Sequence, residues 1–132
     1  MIGRWLIAIG AASGLAGCYS YVPVTVRVVD AATSEPIKGA SVVSSPVTGF
    51  LEAVHPQGVV AQTDIYGIVR LQMAPNYGNA IEVSASRYEV AEVYLVRRSD
   101  QPQPEFAHIQ RPFPQDGQPV DIALKRVAEG TR

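Results

Sequence analysis

Val22-Pro23-Val24-Thr25-Val26-Arg27-Val28 places a valine at every second position. Successive side chains of a strand point to opposite faces, so this spacing puts four valines on one face of an extended segment. Pro23 has no N–H to give a ladder and marks the start of that strand or an edge. The same period returns where Val69, Leu71 and Met73 alternate with Arg70 and Gln72. It returns again where Ile81, Val83 and Ala85 alternate with Glu82, Ser84 and Ser86, and where Ala91, Val93 and Leu95 alternate with Glu92 and Tyr94. Ala40 to Ser44, Phe50 to Val54 and Val59 to Thr63 read as shorter strands. Val120 to Val127 reads as the last, with Ile122 and Leu124 inward. No helical period follows residue 18. About seven short strands separated by turns predict an all-β fold, a sandwich of two sheets.

The punctuation between strands supports this. Asp30, Ser34, Pro36 and Gly39 break regular structure over residues 30–39. Asp64-Ile65-Tyr66-Gly67 is a tight turn, with Asp64 able to accept from the backbone two residues on and Gly67 free to take positive φ. It predicts a hairpin of Val59–Thr63 with Ile68–Met73. Pro75 to Gly78 forms another turn. Residues 97–119 carry Pro102, Pro104, Pro112, Pro114 and Pro119 and exceed normal connection lengths, which marks either a functional loop or a semi-rigid crossing.

The N-terminus reads differently. Arg4 precedes an apolar run from Trp5 to Ile9 and a tail of Ala, Gly and Ser, the three-part layout of a secretory signal. The run falls short of the roughly 20 residues that span a bilayer. It closes on Leu15-Ala16-Gly17-Cys18, and Cys18 is the one cysteine in the chain. This run resembles the lipobox of bacterial lipoproteins. The resemblance implies a diacylglycerol on the Cys18 thiol, cleavage before Cys18, and acylation (palmitate is typical) of the new amino group. One buried acyl chain anchors only marginally, at about 0.8 kcal/mol per CH₂, whereas two or three hold a protein on its membrane. The expected organisation is a signal at 1–17, a lipidated Cys18 and short tether over 18–21, a sandwich over 22–127, and a frayed tail at 128–132.

Of the 132 residues, loss of the first 17 leaves 115, enough for one core and too few for two. Arg4 leaves with the signal, so 10 basic side chains face 12 acidic ones, and no basic stripe invites nucleic acid. With Cys18 acylated, no thiol remains for disulfides or thiol catalysis.

Three further pieces occur in order: Glu35-Pro36-Ile37-Lys38-Gly39-Ala40-Ser41-Val42 after Val28-Val29-Asp30, then Thr63-Asp64-Ile65-Tyr66-Gly67, then Ile81-Glu82-Val83-Ser84-Ala85-Ser86-Arg87-Tyr88. Together, over residues 22–96, they resemble the carboxypeptidase regulatory-like domain, a small sandwich of transthyretin-like (prealbumin-like) topology. The resemblance implies that Gly39 and Gly67 supply turns, that Val42 points inward, and that Tyr88 caps a sheet edge with its ring. The family has Gly where this chain has Arg87, which predicts that the backbone there avoids positive φ. Most members of that family are accessory modules without chemistry of their own.

Candidate chemistry is sparse. His55 and His108 lie in Pro-bounded loops, with no second His or Cys at ligand spacing, and read as exposed loop histidines. No Gly-x-Ser-x-Gly elbow is present. Asp30, Glu35 and Asp64 read as turn residues, since no Asp-x-Asp calcium loop surrounds them. Hydroxyisourate hydrolases of transthyretin-like fold end in Tyr-Arg-Gly-Ser, whereas this chain ends Ala-Glu-Gly-Thr-Arg. Intradiol dioxygenases bind iron through two Tyr and two His, and the Tyr and His here show no such pairing. No catalytic residue, metal or cofactor is expected.

The expectation is therefore an anchored, non-catalytic structural or partner-binding module of the cell envelope. Its partners would be the bilayer, through Cys18, and an envelope protein or the cell wall. Tyr19 stands where Asp would favour inner-membrane retention in enteric bacteria, which favours the periplasmic face of the outer membrane. Three residues, Tyr19 to Tyr21, separate Cys18 from Val22 and reach roughly 10 Å. A domain held so closely presents its far end and flanks. Loop 97–119, with Phe106, His108 and Phe113, is the expected partner contact. Alternatives are a secretion-system assembly lipoprotein of transthyretin-like fold, and a carbohydrate-binding module using Phe50, Tyr66, Tyr77 or Tyr94.

Overall fold

The computed structural model describes residues 21–47 and 59–128. The expected signal segment, the expected lipobox residues Leu15, Ala16, Gly17 and Cys18, the strand expected at Phe50–Val54, His55 and residues 129–132 lie outside the described residues. Eight strands are described: β1 (Val22–Asp30), β2 (Ser41–Val47), β3 (Val59–Gln62), β4 (Ile68–Met73), β5 (Gly78–Ser84), β6 (Ala91–Leu95), β7 (Gln110–Arg111) and β8 (Val120–Leu124). They form the two-sheet sandwich expected from the alternation. One sheet has the order β4-β1-β8, the other β3-β2-β5-β6-β7.

The valine face of β1 fills the centre. Val24, Val26 and Val28 are buried, and Leu71, Met73, Ile122 and Leu124 join them from the flanking strands. The larger sheet answers with Val42, Ile81, Val83, Val93 and Leu95. Each such side chain contributes about 1.5–3 kcal/mol by leaving water. Strand β1 pairs antiparallel with β4 and parallel with β8, so Val26 sits between Val69 and Val120.

Strands β3 and β4 do not form the expected hairpin. β3 pairs with β2, and β4 pairs with β1 in the other sheet. The turn between them is a corner where the chain changes sheets. Asp64 still organises it as anticipated: its Oδ1 accepts from Tyr66 N at 2.9 Å and Ile68 N at 3.0 Å. Gly67 takes φ +73°, and its carbonyl accepts from Val28 N at 2.8 Å, which seats the corner on the end of β1. The turn is held by its own amides on Asp64 and by the Val28 amide of β1, not by a ladder between β3 and β4.

Arg87 has φ +73°, so the left-handed conformation of the Gly-Tyr turn is kept despite the side chain. Its carbonyl accepts from Val127 N at 3.0 Å, and Tyr88 N donates to Ala85 O at 3.1 Å. These bonds outweigh the roughly 1–2 kcal/mol that an L-residue loses in this region.

The two ends of the sandwich differ. The connections at 31–40, 63–67 and 85–90 and the segment after β8 gather at one end. The start of β1, the β4–β5 turn and the 97–119 excursion gather at the other. Val22 pairs with Met73, and Val22, Pro23 and Thr25 share a recess with Phe113 to Gln118. The excursion is therefore at the N-terminal end of the domain and not at its far end.

Candidate functional site

The 97–119 excursion is pinned at several points. Leaving β6, Arg97 Nε donates to Asp100 Oδ2 at 2.9 Å and its NH2 to Oδ1 at 3.3 Å. Arg98 N donates to Pro75 O at 2.9 Å, fastening the excursion to the β4–β5 turn. A 3-10 turn follows at Pro104–Phe106, and Gln103 N donates to Gln110 Oε1 at 2.8 Å across it. β7 then runs parallel to β6, with Tyr94 opposite Gln110 and Leu95 opposite Arg111. The Arg111 guanidinium donates to the Asp121 carbonyl.

Of the three contact residues expected here, Phe106 is 43% exposed and His108 is exposed. Phe113 is only 7% exposed and belongs to the core. Its ring closes the open end of the sandwich, with the Arg98 guanidinium 5.2 Å from its centroid. Phe113 therefore offers little surface to a partner.

Between the excursion and the outer face of β5 and β6 lies an open groove of about 610 Å³. Tyr77 and Tyr94, read from sequence as partly exposed rings, both line it and are half-buried. Tyr94 can lie across the sheet because the strand beside it carries Gly78, where any Cβ would collide with the phenol. Gln101, Gln103 and Gln110 form the rim with the Arg97–Asp100 pair. These glutamines carry no periodicity that marks them in the sequence. Their signal is the Gln-Pro-Gln-Pro run at 101–104, which projects amides from a stiff backbone. Tyr66, by contrast, is 66% exposed at the opposite end of the molecule.

A second polar cluster ties the far end together. Asp30 is 3% exposed, and its Oδ1 accepts from Ala32 N at 2.8 Å and Thr33 N at 3.1 Å. Its Oδ2 accepts from the Tyr88 hydroxyl at 2.7 Å and Arg126 Nε at 3.0 Å. These four donors, with the Tyr88 hydroxyl first and Arg126 next, hold the carboxyl well below the usual carboxylate range. The same bond to Asp30 raises the Tyr88 phenol. Arg126 also lies over the Tyr88 ring, 5.5 Å from its centroid. Tyr88 thus fastens β1, the β5–β6 turn and the C-terminal segment, and an isolated bridge joins it to Arg126. With all its acceptor positions filled by protein donors, Asp30 has no lone pair to spare for a cation. Among the described residues no group of three or more His, Cys, Asp or Glu is placed to hold a metal ion. Among the same residues no helix is long and apolar enough to cross a membrane.

No family model matches the sequence, and no curated protein matches it. Solved structures do. 3-Chlorocatechol 1,2-dioxygenase from Rhodococcus opacus 1CP is similar with a TM-score of 0.57 at 12% identity, over 82% of this chain and 60% of that one. Hydroxyquinol 1,2-dioxygenase from Pseudomonas putida DLL-E4 is similar with a TM-score of 0.54 at 14% identity, over 82% and 58%. The pilus 2b backbone protein of group B streptococcus is similar with a TM-score of 0.51 at 12% identity, over 81% and 42%. The chain thus spans 42–60% of the length of these proteins. At such identities the likeness shows a shared β-sandwich fold, found both in enzymes and in a structural protein.

Proposed function

We propose that this chain is a cell-envelope lipoprotein, acylated at Cys18, whose β-sandwich serves as a non-catalytic structural or partner-binding module. The observation that carries the proposal is the Leu15-Ala16-Gly17-Cys18 run at the end of an apolar segment, with its single cysteine four residues before the first strand. A sandwich with a dense apolar core and short turns suits a spacer or scaffold. The likeness to a pilus backbone protein is compatible with that role.

In this proposal the anchor sets the orientation. β1 starts at Val22, so a tether of three residues, roughly 10 Å long, keeps the excursion end of the domain near the bilayer. The outward end then carries the connections at 31–40, 63–67 and 85–90, with exposed Ile65, Tyr66 and Val90. Tyr21, exposed beside β1, would lie at the headgroup level, where amphipathic rings are favoured. The absence of Asp at position 19 favours the periplasmic face of the outer membrane. Replacing Cys18 by Ser tests the proposal. The variant should leave the membrane fraction and lose the mass of its acyl chains. Unchanged partition with membranes would refute the anchor.

A further inference from the structure

We infer that the groove walled by the 97–119 excursion is a binding site for a neutral saccharide. The inference goes beyond the anchored-module proposal and does not depend on it.

The walls of the groove narrow the ligand class by elimination. Among the described residues lining it, the charged side chains are Arg97 and Asp100, and they are paired with each other through two hydrogen bonds. An anion would find no spare cation, and a cation no spare carboxylate. A peptide adding as a strand needs free backbone donors and acceptors along a sheet edge. Here the floor is the face of β5 and β6, each already paired on both sides. An amphipathic helix needs a broad apolar strip, and the groove has little more than Val47 and the largely covered Val96.

What remains matches a sugar. The Tyr94 ring, laid on the sheet over Gly78, offers a flat apolar surface for the C–H face of a pyranose. Tyr77 supplies a second ring on the same groove. The amides of Asn76, Gln101, Gln103 and Gln110 both donate and accept, as sugar hydroxyls do. Gln110 already spends its Oε1 on Gln103 N, which orients its NH₂ as a fixed donor. The volume of about 610 Å³ falls within the usual range for small-molecule sites and holds two or three sugar rings at most. Neutral glycan chemistry is offered both by a free polysaccharide strand and by a glycolipid headgroup.

Saturation-transfer NMR on the full-length chain in detergent tests the inference. The probes are neutral glucan and chitin oligomers, and bilayer discs carrying a neutral glycolipid. Transfer from free oligomers would identify a polysaccharide ligand, and transfer from the discs alone a headgroup. Either result supports the site if Tyr94→Ala weakens it about tenfold, the size of effect expected when a packed ring is removed. Gln101→Ala, an exposed side chain outside the core, should weaken it severalfold while leaving the thermal midpoint unchanged. No transfer from any probe, or transfer unaltered in the folded Gln101→Ala variant, would overturn the inference and leave the lipid anchor untouched.

Discussion

Replacing Gly67 by Ala is the most direct test of how the chain changes sheets. Two costs add at this position. With φ at +73°, any L-residue loses about 1–2 kcal/mol in the left-handed region. The new Cβ would also stand 2.5 Å from the Val28 carbonyl oxygen and 3.1 Å from Pro36 Cβ. Neither neighbour is a flexible side-chain tip: the first is backbone in the central strand, the second a ring held by its bridge to Val29. Overpacking of this kind adds about 1–3 kcal/mol, so the total should be about 2–5 kcal/mol. Gly39 supplies the control, because its φ is +77° but nothing lies within 4 Å of the added Cβ. Gly39→Ala should therefore show the backbone cost alone, about 1–2 kcal/mol. Urea unfolding followed by tryptophan-independent far-UV circular dichroism gives both midpoints. Equal losses in the two variants would refute the close seating of the corner on β1.

Arg87→Gly should raise stability by up to about 1 kcal/mol, since glycine removes the left-handed cost and the side chain lost is exposed; a lower unfolding midpoint would count against the positive φ. Leu124→Ala, at a fully buried position of β8, should cost about 2–5 kcal/mol in the same assay. Asp30 gives a pH signature. Its folded pKa is depressed below the ordinary value of 3.8, so its contribution is complete above that pH and is lost as pH falls further. Thermal midpoints measured from about pH 6 to pH 2 should decline more steeply in the wild type than in Asp30→Asn, and parallel curves would contradict the cluster.

Much of the fold was legible because strand alternation is local. The four alternating valines of β1, the inward Leu71 and Met73, and the Asp64–Gly67 turn needed only neighbouring residues to be recognised. Alternation says which face turns inward and is silent on which strand lies beside it. That is why β3 and β4, separated by a short turn, read as a hairpin. The partner of β4 is set by the ladder from Val22–Met73 to Arg27–Ile68, which no local pattern encodes. Arg87 was misread for a related reason: intrinsic sterics argued against positive φ, and hydrogen bonds to the C-terminal segment prevailed. Phe113, flanked by prolines in a polar stretch, showed no sign of the opening it fills. The groove was half visible. Its two rings stood out by type, but the glutamines around them have no period and meet only when β7 folds back along β6.

The parallel pairing of β1 with β8 also governs when the domain can close. Val26 waits for Val120, and Asp30 for Leu124, so the first of the described strands completes its ladder with the last of them. Contacts of such long sequence separation slow folding. A nascent chain wired this way leaves one edge of its central strand open until β8 has emerged, so that edge stays available to other strands while the rest of the sandwich assembles.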